Sequence, residues 1–184
     1  MGGPTMKGFD ILVEQTKAIS KAQGRNAKEI RQTIKINKKI YREAMKDTPD
    51  WEKMKKMLHD GLQSAGASSS EAIIQQQLKA LKSPWFHYFL QYDPAKDLEK
   101  VKCPVLALFG GKDIQVPPEP NIKRLKKITR NHPDLNVTVK KIPHANHLFQ
   151  KAKTGSISEY GNGPKEFVDG FPEKVIHWID KVTK

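Results

Sequence analysis

The sequence predicts an α/β chain in two textures: an all-helical section first, then a β-α-β unit closed by a last helix. Three observations carry this. Apolar residues recur at helical spacing from 9 to 90 with no strand-like run. Two short apolar runs, 104–109 and 137–142, flank an amphipathic stretch, the layout of parallel strands joined by a crossover helix. Glycine, proline and aspartate fall between these segments rather than within them.

The opening residues have loop chemistry, Gly2-Gly3-Pro4-Thr5 ahead of any periodicity, and Met6 stands where a myristoylation motif needs Ser or Thr. Ile11, Leu12, Ala18, Ile19 and Ala22 then mark a helix over 9–22, stopped by Gly24 as a left-handed cap. Asn26 with Glu29 forms a capping-box pattern for a second helix running to about Lys46, where Asp47-Thr48-Pro49-Asp50 is a stop and a new start. Trp51, Met54, Leu58 and Leu62 predict a third helix. Ser70 is placed to cap a fourth carrying Ile73, Ile74, Leu78 and Leu81, and Ser83-Pro84 opens a short aromatic helix that Asp93-Pro94 ends.

After Pro94 the pattern changes. The run 104–109 reads as a strand buried on both faces, Pro118 to Asn131 as a helix, 137–142 as a second strand and 172–182 as the last helix. Two parallel strands do not make a stable sheet alone, so their open edges need upstream strands, a partner chain or a second copy. We read 1–25 as loop and helix belonging to the core, 26–93 as a helical section set into it, and 94–184 as the C-terminal part of the core.

Composition narrows the classes. Charged residues make up 29% and mean hydropathy is −0.65, polar for a folded chain but short of a disorder signature. No run approaches a membrane span, and no charged-then-apolar signal layout opens the sequence. One cysteine, Cys103, excludes an internal disulfide, fixes no compartment and reads as a small core residue. The net charge of +13 is clustered: 17–60 holds 13 Lys/Arg against 6 Asp/Glu, and 121–153 holds 9 against 1. Because the cations lie between apolar residues at helical spacing, they read as solvated helix faces rather than a nucleic-acid surface.

Two residues stand out for chemistry. Asp113 follows the first strand through Gly110-Gly111-Lys112, and His147 follows the second through Pro143-His144-Ala145-Asn146. Parallel sheets put reactive groups at the C-terminal ends of strands, and an acid beside a histidine can fix the imidazole tautomer, so the pair suggests half of a hydrolytic triad. Taken singly, each reads as an ordinary turn residue. His132, His144 and His177 lack metal-ligand spacing, and neither a metal nor an organic cofactor is expected.

These stretches, with Ser83-Pro84-Trp85-Phe86-His87-Tyr88-Phe89-Leu90, Tyr92-Asp93-Pro94, Val101-Lys102-Cys103-Pro104-Val105-Leu106-Ala107-Leu108, Gln115-Val116-Pro117-Pro118, Asn146-His147-Leu148-Phe149-Gln150, Thr154-Gly155-Ser156 and Glu159-Tyr160-Gly161, resemble the C-terminal part of α/β-hydrolases of the serine aminopeptidase-like, dienelactone-hydrolase-related group. The resemblance implies an incomplete α/β-hydrolase fold, with Asp113 as triad acid, His147 as base, residues 26–90 as a lid and the Gly2-Gly3-Pro4 loop following the strand before it. It also implies an ester or peptide-like amide substrate. Trp85, Phe86 and Tyr160 become candidate substrate-lining residues, although for Trp85, Phe86, Tyr88 and Phe89 packing against Trp51 and Ile74 is the preferred reading. The segment 153–163 fits a loop at the site mouth or a plain surface loop.

One departure governs activity. A nucleophile elbow is Gly-x-Ser-x-Gly, and none of Ser64, Ser68, Ser69, Ser70, Ser83, Ser156 or Ser158 has those neighbours; an oxyanion loop is missing too. The expectation is a chain that is inactive alone and takes its serine from a preceding half of the fold. The alternative expectation is a non-catalytic module that self-associates through its strand edges and holds acidic partners on its basic helices.

Overall fold

A computed structural model describes residues 3–163 and 165–184, so the reading at Gly2 lies outside the described residues. The chain is mixed α/β and divides into two units, Lys7–Tyr92 and residues 3–6 with Asp93–Lys184.

The first unit is helical: α1 Gly8–Ala22, α2 Ala27–Ala44, α3 Trp51–Ser64, α4 Glu71–Leu81 and α5 Pro84–Gln91. Its helix starts follow the sequence closely. Asn26 Oδ1 accepts from the Lys28 and Glu29 amides while Glu29 Oε2 accepts from the Asn26 amide, a complete capping box. Asp50 caps α3 through the Lys53 amide and Ser83 caps α5 through the Phe86 amide. Ser70 makes no such bond, so α4 starts without the side-chain cap that the sequence suggests. Ile40, Ala44, Met54, Leu58, Ile74, Leu78, Leu81 and Leu90 form one buried cluster, contributed by α2 to α5. The sequence reading groups 1–25 with the core of the other unit, but α1 packs on α2 and α5. Gly8 is the reason the approach is so close: a Cβ there would stand 1.7 Å from the Phe89 carbonyl oxygen.

The second unit holds β1 Val105–Gly110, α7 Pro118–Asn131, β2 Val137–Ile142 and α9 Phe171–Thr183, with the one-turn helices α6 Ala95–Leu98 and α8 Glu159–Asn162. The strands pair in parallel, Val105 beside Val137 through Gly110 beside Ile142. Among the described residues this sheet has two strands. The Val105 amide donates to Asn136 and the Gly111 amide to Ile142, so odd-numbered residues of β1 bond to β2 while the amides of Leu106 and Leu108 point to the other edge. A groove of about 460 Å³ runs there, lined by Pro4, Ala95, Leu106, Leu125 and Phe149 among others. The expectation of a strand buried on both faces therefore fails for 105–108, which are half-buried; only Phe109 and Gly110 are enclosed. Cys103, expected in the core, is exposed, because it sits in the bend before β1 starts. No residue of α9 is buried, and Trp178 rests on the sheet through its indole N–H, which donates to Thr138 Oγ1 at 3.1 Å.

Residues 3–6 join this unit through Thr5. Its amide donates to Asn121 Oδ1 and its hydroxyl to the Asn121 carbonyl, both at 2.8 Å, and Asn121 is fully buried. Arg124 Nη2 donates to both oxygens of Asp93, tying α7 to the segment that precedes α6. No helix among the described residues is long and apolar enough to cross a membrane.

One ionisable group stitches two helices of the first unit. Glu43, buried at the end of α2, accepts from Lys46 Nζ, the Asp50 amide and Lys53 Nζ, joining α2 to the start of α3. The Lys46 hydrogen bond, then the Asp50 amide, hold its carboxyl down at about 2, against an ordinary value of 4.5. Its folded-state value lies below its unfolded one, so its stabilisation is complete above 4.5 and fades as pH falls towards about 2. Acid titration of helical signal will show that loss, and Glu43→Gln will be less stable at neutral pH with a flatter acid limb. An unchanged acid limb in the variant contradicts the assignment.

Candidate acid and histidine site

The site is built where β1 and β2 end side by side. Beyond Gly110 the chain turns through Gly111 and Lys112, whose amides donate to the Ile142 and Ala145 carbonyls, both at 2.8 Å. The two loops touch backbone to backbone. A Cβ at Gly110 would lie 2.5 Å from the Asn146 carbonyl oxygen and 2.6 Å from that of Ala145, so the glycine is what lets them meet.

Asp113 is 4% exposed. Its Oδ1 accepts from the Gln115 and Val116 amides at 2.8 Å each, and its Oδ2 lies 2.8 Å from His147 Nδ1. A carboxylate only accepts, so Nδ1 carries the proton in this pair. The side chain of His147 is 19% exposed, and among the described residues Nε2 has no protein hydrogen bond. That leaves Nε2 without a protein partner on a ring oriented by a buried carboxylate, the geometry of a general base.

The histidine loop is shaped by a residue that the sequence reading passed over. Asn146, 2% exposed, accepts at Oδ1 from the Leu148 and Gln150 amides, and its own amide donates to the Gln150 carbonyl. Those bonds wrap the backbone round His147. Two non-glycine residues in the loop have positive φ, His144 at 61° and Phe149 at 58°. Phe149 is held there by stacking on Phe171 at 4.5 Å between centroids and by the Val168 amide, which donates to its carbonyl. The only hint in the sequence is that asparagine suits such turns, which does not distinguish Asn146 from other loop asparagines.

The segment 153–163 braces the acid loop. Glu159, at the start of α8, accepts from the amides of Lys153, Thr154 and Gly155 and from the Thr154 hydroxyl. The Thr154 hydrogen bond foremost holds its carboxyl below the usual range. Gly155, at φ 78°, is pressed against Lys112, where a Cβ would come within 1.7 Å of the carbonyl oxygen. Tyr160 connects as well: Gln115 Nε2 donates to its hydroxyl at 2.9 Å, and the Gln115 amide is one of the two on Asp113.

Trp85 and Phe86 lie on α5 of the helical unit. Phe86 is partly buried and packs, as Trp51 does, against the cluster that includes Ile74, whereas Trp85 is 67% exposed and stacks on Phe89. Tyr88 is also exposed and stacks on Tyr92, so neither Trp85 nor Tyr88 is buried in that cluster. His132 lies beside Glu99 at 3.3 Å, and among the described residues no three His, Cys, Asp or Glu are grouped to hold a metal. Nor does any serine of the described residues hydrogen-bond His147; Ser156 and Ser158 bond each other. Compared with protein-family models, curated proteins and solved structures, the chain matches none.

Glu159 carries a checkable consequence. Removing its carboxylate in Glu159→Ala frees the Lys153, Thr154 and Gly155 amides, and their hydrogen exchange will accelerate by about tenfold or more. Exchange unchanged at those three amides contradicts the bracing role.

Proposed function

We propose that this chain supplies the acid and histidine of a serine hydrolase of the α/β-hydrolase kind, acting on carboxylic esters or peptide-like amides. The observation that supports the reading is the 2.8 Å contact between a buried Asp113 carboxylate and His147 Nδ1 at the ends of adjacent parallel strands, with Nε2 left free. In that role His147 Nε2 takes the proton from a serine hydroxyl as it attacks the carbonyl and returns it to the leaving group. Asp113 holds the tautomer and stabilises the imidazolium. The chemistry needs a nucleophile that these 184 residues do not carry in an elbow.

The open edge of β1 favours a chain partner for the same unit. Among the described residues the amides of Leu106 and Leu108, beside an apolar groove, have no partner, and a serine-bearing half that adds strands there would complete both the sheet and the triad. Self-association of two copies through this edge is the second reading. It covers the strand without providing chemistry.

Hydrolysis of a p-nitrophenyl ester separates them. The 184 residues alone will stay at the buffer rate. Joined to a polypeptide that carries the strands and the Gly-x-Ser-x-Gly elbow of such a fold, they will turn over, and His147→Ala will lower that rate by about a thousandfold or more. A joined chain without turnover, or turnover that His147→Ala leaves unchanged, overturns the proposal.

A further inference from the structure

The loop that carries Asp113 is gripped on both sides of the acid. Before it, Gly155 lies against the Lys112 carbonyl, and after it Tyr160 meets Gln115. Both grips come from the segment 153–163, whose own start is gathered by Glu159 through the Lys153, Thr154 and Gly155 amides.

Gln115 is held at two ends. Its amide donates to Asp113 Oδ1 at 2.8 Å, and its Nε2 donates to the Tyr160 hydroxyl at 2.9 Å. The first bond belongs to a local turn, because an aspartate that accepts from the amides two and three residues on closes such a turn with no help from elsewhere. The second spans 45 residues of sequence and adds a constraint that turn closure does not require. Its effect falls on the carboxylate. Oδ1 and Oδ2 belong to one planar group, so an amide fixed on Oδ1 also fixes where Oδ2 stands against His147 Nδ1, 2.8 Å away. The path from Tyr160 to the imidazole is therefore two hydrogen bonds, one peptide residue and a rigid carboxylate long.

From this we infer that Tyr160 is a positioning residue for His147: acting through Gln115 and Asp113, its hydroxyl sets how firmly the Nδ1 proton is held. The inference rests on the reading of His147 as a base for the chemistry that this firmness would serve. The contacts themselves all lie within the unit that holds both strands.

The Nδ1 proton resonance of His147, followed in the 184-residue chain with no serine-bearing half joined to it, is the readout. Tyr160→Phe removes the hydroxyl and keeps the ring. It will move that resonance upfield and speed its exchange with water by about fivefold, the worth of one hydrogen bond. Gln115→Leu breaks the same bond from the other side with the backbone amide left in place, and it will act alike; should Tyr160→Phe not fold, it carries the test alone. The two substitutions together will do no more than either one, because they remove a single interaction. A merely structural tyrosine predicts a lower thermal midpoint with the Nδ1 resonance unmoved. That result, or effects of the two substitutions that add, overturns the inference. No ester turnover enters the test, so its failure and that of the hydrolase reading are told apart.

Discussion

The contact on which the second unit depends is backbone against backbone: Gly110 and Gly111 at the end of β1 lying on the carbonyls of Ile142, Ala145 and Asn146 at the end of β2. Neither loop could approach so closely with a side chain at Gly110. The parallel register brings the two strand ends level, and the amides of Gly111 and Lys112 then dock the acid loop on the histidine loop. Side-chain geometry follows from that docking. Asp113 emerges one residue past the docked segment, and His147 one residue past Asn146, so a short distance between them is set by main chain before any rotamer is chosen.

A buried carboxylate is unfavourable unless each oxygen finds donors. Asp113 meets that requirement with two backbone amides on one oxygen and an imidazole N–H on the other. The same three bonds that make the burial tolerable also orient the histidine, so stability and chemistry use one set of contacts. Glu159, Gly155 and Tyr160 extend the arrangement outward by bracing Lys112 and Gln115. Among the described residues no serine bonds His147, and no strand lies along the edge of β1 to which the Leu106 and Leu108 amides point.

Much of the fold was legible because local chemistry specifies it. Asn26 with Glu29, Ser83 with Pro84, and Gly24 in the left-handed region are short-range signals, and the helices they bound appear where the sequence puts them. The strands 105–110 and 137–142 follow from apolar runs, and Asp113 and His147 from their places after those runs. Residues whose role is set by tertiary contact were not legible. Asn121 is a hydrogen-bond hub only because the distant Thr5 comes to it, and Asn146, which bonds the nearby Leu148 and Gln150 amides, looks in sequence like any other loop asparagine. The short helices α6 and α8 are too brief to have a period. Burial of β1 misread for a related reason: an apolar run reports what a strand is suited to, whereas its exposure depends on which neighbours are present.

Asp113, 2.8 Å from Nδ1, selects the tautomer of His147, and ¹⁵N spectra of the His147 ring in neutral to alkaline solution test this most directly. The structure predicts the Nδ1–H tautomer with a strongly downfield Nδ1 proton. In Asp113→Asn the amide oxygen will keep the Gln115 and Val116 amides, turning its NH₂ towards Nδ1 and driving the ring to the Nε2–H tautomer. An Nε2–H tautomer in the unsubstituted chain, or the same ring spectrum with and without Asp113→Asn, would contradict the account.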